Sequence, residues 1–327
     1  MVGAIVIFDD YKVERGDGMD WERLLSESEH VEVVESGMLG EVEWKHYANG
    51  LLTFFGQGPI SNFLCSYTYW GAIDECTEYN PYWRWWYGKE VSALVKYVYI
   101  DEGITEIEDG AFEACQIEEV FLPNTVTKIG ARVFGNNNLE TLKLPDNLET
   151  IGHRCFEESH KLKSIFIPAS VKTLGDIGGK YKSALEEIMV DENNTNYVVM
   201  DDILYTADMT QLLWCPASVS GTLHVPDTVR SVAADAFERC VLIKEVIFSE
   251  KPIILGARCF DGTALHKLVL PKDVEMERCG IFGCAYHCHP VTRHSVPCET
   301  DDLVVYIDKE CTAWDYFIQK NIRIFGE

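Results

Sequence analysis

Apolar positions recur along this chain in two linked patterns. One ends in phenylalanine: Ile107-Glu108-Asp109-Gly110-Ala111-Phe112, Ile129 to Phe134, Ile151 to Phe156, Val232 to Phe237 and Leu255 to Phe260, at steps of about 22 to 23 residues within each run. The other follows each phenylalanine as Leu-x-x-Leu-x-Leu: Ile117, Val120, Leu122; Leu139, Leu142, Leu144; Leu162, Ile165, Ile167; Leu185, Ile188, Val190; Ile243, Val246, Phe248; Leu265, Leu268, Leu270. Alternation over so few positions predicts short strands. Pro123, Pro145, Pro168, Pro226 and Pro271 follow such strands, and a residue without an N–H is a natural stop for a ladder.

A unit this short cannot bury its own apolar side, so its copies must stack. The pattern therefore predicts a coil in which each turn supplies one parallel strand and one phenylalanine-bearing bend. Its ends need caps, because bare terminal turns would expose strand edges and core.

The segments outside the pattern supply candidates for those caps. Residues 1–42 read as an N-terminal extension of unknown role. In it, Val2 to Phe8 has strand character, and Asp20 can N-cap a short helix carrying Trp21, Leu24 and Leu25. Residues 43–99 form an aromatic-rich N-terminal cap whose cluster of Trp70, Tyr79, Tyr82, Trp83, Trp85, Trp86 and Tyr87 either seals the first turn or offers rings for stacking a sugar. Residues 301–327 read as a C-terminal cap, with Leu303 to Ile307 as a last strand and the amphipathic Trp314, Phe317, Ile318 as a covering helix.

The run Ile104 to Phe112, with its later strand and proline, resembles the leucine-rich repeat of the BspA-like family. The resemblance covers roughly Glu43 to the C-terminus and is strongest from Ile100 to Lys272. Asn193 to Pro226, with Asn196-Tyr197, Asp202-Ile203-Leu204-Tyr205, Leu212 and Pro216, is similar to a hairpin insertion that interrupts arrays in this family. Trp44 to Gly58, with Asn49-Gly50-Leu51-Leu52-Thr53 and Gly56-Gln57-Gly58, resembles its N-terminal capping segment, where Pro81-Tyr82-Trp83 also fits. The fold expected is a mainly β repeat, α+β in class: a right-handed leucine-rich-repeat solenoid over residues 100–300, with short parallel strands, one β-hairpin insertion at about 193–226 and terminal caps. The resemblance implies a part in adhesion or host-surface protein interaction.

Whole-chain numbers narrow the choice of partner. At 327 residues with 47% hydrophobic and 12% aromatic content, burying a core is not a difficulty. The formal charge of -25 argues against nucleic acid and against an anionic membrane surface, both of which call for a clustered basic face. No apolar run reaches the roughly 18 residues a membrane span requires. Val2 to Phe8 is too short for a secretory signal. The chain is expected in the cytoplasm if complete as written, and at the cell surface or secreted if a signal was removed.

Twelve cysteines are present, and several are periodic. Cys115 and Cys240 stand three residues after a repeat phenylalanine, while Cys155 and Cys259 stand just before one, where other copies carry Ala111, Val133 or Ala236. Exchange with alanine and valine marks small buried hydrophobes and favours a reducing compartment. The stretch from Cys279 to Cys298 is different: Cys279 falls near a repeat position, with Phe282 continuing the phenylalanine series, but Cys284, Cys288 and Cys298 are off-register. Cys279, Cys284, Cys288 and Cys298, with His287, His289 and His294, offer enough ligands for tetrahedral zinc, yet no pair has the C-x2-C spacing. Packing thiols, disulfides and metal all remain open for it.

The outward strand positions are the most interesting surface. Neighbouring strands stand about 4.7 to 4.9 Å apart, so equivalent residues line up in ladders. One ladder reads Phe121, Lys143, Phe166, Met189, His224, Ile247, Val269; the next reads Glu119, Thr141, Ser164, Glu187, Glu245, Lys267. An apolar stripe beside a polar one suits an interaction face. The same residues also simply favour strands, or lie under a loop. No nucleophile elbow, phosphate loop, H-E-x-x-H or dinucleotide glycine pattern is present. The reading is a non-enzymatic scaffold, with no cofactor, binding a protein partner or a host surface or glycan through these ladders. The alternative is a metal-binding or cysteine-dependent enzyme centred on residues 279–298.

Overall fold

The computed structural model of the chain describes residues 19–61, 95–177, 184–277, 281–282, 303–320 and 322–326. The Val2–Phe8 segment, the aromatic cluster from Trp70 to Tyr87, and the cysteines and histidines between Cys279 and Cys298 lie outside these residues.

Most turns contribute two strands, not the one that the apolar pattern predicts. A front sheet holds the Leu-x-Leu strands, and a back sheet holds a shorter strand just ahead of each phenylalanine bend. The first back ladder runs through Gly58–Ile60, Ile104–Ile107, Lys128–Ile129, Thr150–Ile151 and Thr173–Leu174, all parallel. These strands exist because the chain, crossing the core after each proline, has buried backbone groups that only the neighbouring turn can satisfy. Ile107, Ile129 and Ile151 are their inward residues, each at most 1% exposed.

The front sheet comes in three pieces. The first opens with an antiparallel meander, Val33–Leu39, Val42–Tyr47 and Leu51–Gly56, that passes into parallel pairing with Tyr97–Ile100 and Glu119–Phe121. A turn with Gly50 at a φ of 86° lets Leu51 follow Tyr47, and the Asn49 side chain accepts from the Leu51 N–H at 3.3 Å. The second piece is Ser164–Ile167 with Glu187–Val190, and the third is Gly221–His224, Ile243–Ile247, Lys267–Val269, Val304–Tyr306 and Arg323–Phe325. Leu142 and Leu144 are buried like their counterparts, but no front strand forms around Lys143.

The bends run on residues in the left-handed region. Two residues before the phenylalanine, Gly110, Arg132, Arg154, Asp235 and Arg258 have φ between 54° and 67°. Only one is glycine, so the others carry a conformational cost. The N–H groups of Arg132, Arg154 and Asp235 offset it by donating to the carbonyls of His153, Asp176 and Ala257 in the next turn, at 2.9, 2.7 and 3.0 Å. The rings then stack in file: Phe112 on Phe134 at 6.1 Å, Phe134 on Phe156 at 6.5 Å, and Phe237 on Phe260 at 5.0 Å. All five are fully buried.

Three residues past the phenylalanine, the same slot holds Cys115, Asn137, Ser159, Cys240 and Thr263. It is a polar slot. Asn137 Nδ2 donates to the Phe112 carbonyl at 2.8 Å, Ser159 Oγ to that of Phe134 at 3.1 Å, and Cys240 Sγ to that of Cys215 at 3.4 Å. Cys115 and Cys240 thus stand in for hydrogen-bonding residues, whereas Cys155 and Cys259 occupy the small apolar slot. All six described cysteines are buried.

The insertion is a hairpin, Tyr197–Met200 with Ile203–Thr206, continued antiparallel by Gln211–Trp214, which then pairs parallel with Ser231–Val232 and reopens the back ladder through Ile253–Leu255 and Val274–Met276. Its inner strands, Ile203–Thr206 and Gln211–Trp214, bury side chains on both faces. Leu204 and its partner Trp214 belong to the core of the preceding turns; Ile203, Tyr205 and Leu212 belong to the core of the following ones. The hairpin is a septum between two cores. Tyr197 closes the end of the first back ladder, its hydroxyl accepting from Leu174 N–H at 2.9 Å and donating to the Lys172 carbonyl at 3.2 Å.

At the far end, Leu303–Ile307 is not the last strand. A six-residue helix, Trp314–Gln319, is followed by Arg323–Phe325, which pairs with Val304–Tyr306. Phe317 is the sealing residue at 0% exposure, while Ile318 faces outward at 57%.

Candidate binding surface

The front ladder is divided by its chemistry as well as by its hydrogen bonds. At the N-terminal end, Tyr99 stacks on Phe121 with centroids 5.1 Å apart, and Trp21 lies 6.1 Å from both rings. Trp21 opens the helix Trp21–Ser28, whose first turn is capped by Asp20 Oδ1 accepting from the Arg23 N–H at 3.0 Å. Glu119 accepts from the Met19 N–H at 3.2 Å. Phe121 and Glu119 are therefore half-buried under the chain's own N-terminal segment.

Beyond that cover, the ladder is open. Lys143 and Thr141 are exposed, Phe166 is 41% exposed and aligned with half-buried Met189, and Ser164 is aligned with exposed Glu187. The septum then breaks the line, so the single stripe expected from Phe121 to Val269 is interrupted between Met189 and His224, as well as at Lys143.

The last piece is longer than the sequence pattern indicated. His224, Ile247 and Val269 continue into Tyr306 and Phe325. The adjacent row runs Thr222, Glu245, Lys267, Val304, Arg323. Lys267 Nζ lies 3.4 Å from Glu245 and 5.4 Å from the Tyr306 ring centroid, and Tyr306 lies 5.5 Å from Phe325. Tyr306 is 36% exposed and Phe325 66%. A cation over a ring beside a second exposed ring makes a mixed apolar and charged patch on the solvent side. Tyr99, Tyr306 and Phe325 were the ladder members missed; Val98 with Ile100, and Val305 with Ile307, carry the alternation that marks them.

Charge elsewhere is spent between turns. Arg258 binds Asp235 through two hydrogen bonds, Arg132 pairs with Glu113 at 2.6 Å, and Arg154 reaches Asp176 at 3.7 Å and, across the septum, Asp235 at 4.0 Å. The described cysteines are all buried. Burial pushes the Cys155 thiol up to about 12 and raises that of Cys259. Among the described residues, no three His, Cys, Asp or Glu side chains cluster as metal ligands, and no helix is long and apolar enough to cross a membrane.

Two parallel ladders joined by phenylalanine bends and capped by a meander and a helix define a leucine-rich-repeat solenoid. The chain belongs to the family described as the BspA type leucine rich repeat region, six copies of which match residues 91–198 and 218–323. Most of the septum hairpin falls in the gap. The fold is similar to that of a leucine-rich repeat protein from Eubacterium ventriosum, 24% identical, with a TM-score of 0.61 over 83% of this chain and 71% of that one. A leucine rich cell surface protein from Faecalibacterium prausnitzii matches at 15% identity and a TM-score of 0.47, covering 90% of this chain and 96% of its own. The pneumococcal vaccine antigen PcpA matches at 14% and 0.46, covering 90% and 99%. No curated protein matches the chain.

Proposed function

We propose that this repeat scaffold is a non-enzymatic binder that takes a protein partner on the open part of its front face, from Phe166 to Phe325. One observation carries the reading. Phe166, Tyr306 and Phe325 stand at outward ladder positions, 41%, 36% and 66% exposed, where the repeat's packing has no need of an aromatic ring. Large rings flanked by charges such as Lys267, Glu245 and Glu187 are the composition of contact sites, in which aromatic anchors dominate the energy. An adhesion role belongs to the same reading, with a host-surface protein or a glycan as partner, since the rings that grip a side chain also stack on a sugar.

The test uses the full chain with Phe166, Tyr306 and Phe325 replaced by serine. Immobilised wild type is offered panels of host-surface proteins and glycans, and each hit is re-measured on the triple variant. At least tenfold weaker binding at an unchanged melting temperature supports the face. Hits that bind the variant as tightly as wild type would dispose of it.

A further inference from the structure

Where the septum enters, the back sheet is broken, and the break leaves a groove of about 310 Å³. It is lined on its apolar side by Leu174, Leu213, Trp214 and Ile254, and it carries two acids, Asp176 and Glu277. No lysine or arginine lines it among the described residues. Glu277 gives one carboxylate oxygen to the Ala257 N–H at 2.9 Å, and among the described residues it has no cationic partner. Asp176 is shared between the ring of His153 at 3.1 Å, the N–H of Arg154 at 3.1 Å and Arg154 Nε at 3.7 Å, which leaves Glu277 as the acid without a cation among the described residues.

The groove lies where the first back ladder stops. The first back ladder ends at Thr173–Leu174, where the Tyr197 hydroxyl, not another backbone, meets Leu174 and Lys172. The next chain segments, Gly175 to Ile177 on one side and Gln211 to Trp214 on the other, border the cavity. Gln211–Trp214 is bonded on both edges, so a short peptide laid there is held by its side chains, which meet an apolar wall and an acidic one. The volume is at the small end of the roughly 300 to 1,000 Å³ typical of binding clefts.

We propose that this groove binds a short extended peptide segment carrying a cationic side chain between apolar ones, with the cation directed to Glu277. The site is separate from the front face. Glu277 is exposed, so its contact with the cation is screened and adds a preference of roughly fivefold to what the apolar wall supplies.

The full chain labelled with 5-fluorotryptophan gives separate reporters: Trp214 in the groove and Trp21 on the front face, assigned through Trp214→Phe and Trp21→Phe. It is titrated with the blocked tripeptides Leu-Arg-Leu and Leu-Glu-Leu. The expected result is a saturable shift at Trp214 with the arginine peptide, at least fivefold weaker with the glutamate peptide. Glu277→Gln, whose amide oxygen still accepts from Ala257, is expected to weaken the arginine peptide at least fivefold, and Asp176→Asn to weaken it too. No saturable movement of Trp214, a shift confined to Trp21, or equal affinity for the two peptides on wild type would each overturn the proposal. The peptide comparison needs no variant, so a misfolded Glu277→Gln protein would not rescue it.

Discussion

Asp235 and Arg258 stand 23 residues apart in sequence yet form a two-pronged ion pair across adjacent turns, with Nε at 2.9 Å from Oδ1 and Nη2 at 2.7 Å from Oδ2. The Asp235 side chain is 1% exposed. Removing Arg258 leaves a buried carboxylate with, among the described residues, only Arg154, 4.0 Å away, to answer it. Arg258→Ala is expected to cost about 3 kcal/mol, the low end for breaking a buried pair. The Asp235→Ala, Arg258→Ala double variant is expected to lose less than the sum of the two singles. Urea denaturation of the four proteins checks both statements.

Glu238 ties stability to pH. Burial is the main cause pushing its carboxyl up, to about 8, with Asp235 and Asp261 adding to the effect and Arg239 and Arg258 opposing it. The folded chain thus prefers the neutral acid. Its contribution is fully present below the ordinary value near 4.5 and is lost as pH rises through about 8. Glu238→Gln is expected to flatten that part of the profile and to be more stable than wild type at pH above about 8. Urea midpoints at acid and alkaline pH for both proteins decide it; parallel profiles would refute the assignment.

Gly256 is one of the places where adjacent turns press backbone against backbone. A Cβ there would lie 2.5 Å from Ala234 N and 2.6 Å from Ala233 C, both backbone atoms that cannot step aside. Gly256→Ala is expected to destabilise by about 3 kcal/mol through overpacking. Gly221→Ala is the contrast. At φ +80° with nothing within 4 Å, it is expected to cost only about 1 kcal/mol, for the backbone conformation alone. Thermal unfolding of the two variants side by side measures the difference.

The described cysteines Cys115, Cys155, Cys215, Cys240, Cys259 and Cys311 are buried, and burial helps hold several of their thiols protonated. They are expected to label with a thiol reagent only when the fold opens, at the rate of unfolding. Peptide mapping after timed alkylation, native against denatured, gives the answer residue by residue. Fast labelling of Cys155 or Cys259 in the native chain would contradict the packing.

The phenylalanine file and the inward Leu-x-Leu residues were legible in the sequence because a fixed step repeats the same burial demand at Phe112, Phe134, Phe156, Phe237 and Phe260. The back sheet was not. Its typical strands, Lys128–Ile129 and Thr150–Ile151, carry one inward residue each, and no period can be read from two positions. The slot after the phenylalanine misled for a different reason: Cys115 and Cys240 look apolar until Asn137, Ser159 and Thr263 are set beside them. The cover over the candidate face, Trp21 on Phe121, joins residues 100 positions apart with no repeat to announce it. Tyr306 and Phe325 lay beyond the strong repeats, where the spacing between strands changes.

The two-faced hairpin has a consequence for how the array comes apart. Leu204 and Trp214 are fastened into one core, and Ile203, Tyr205 and Leu212 into the other. An ordinary repeat array frays from its ends one neighbour at a time. In this chain, fraying from Arg323–Phe325 is expected to halt at the hairpin, because melting it would strip apolar cover from the opposite half as well. Hydrogen exchange should then divide the amides into two blocks of differing protection that meet at residues 197–214, with the molecule behaving as two cooperative halves that share one firebreak.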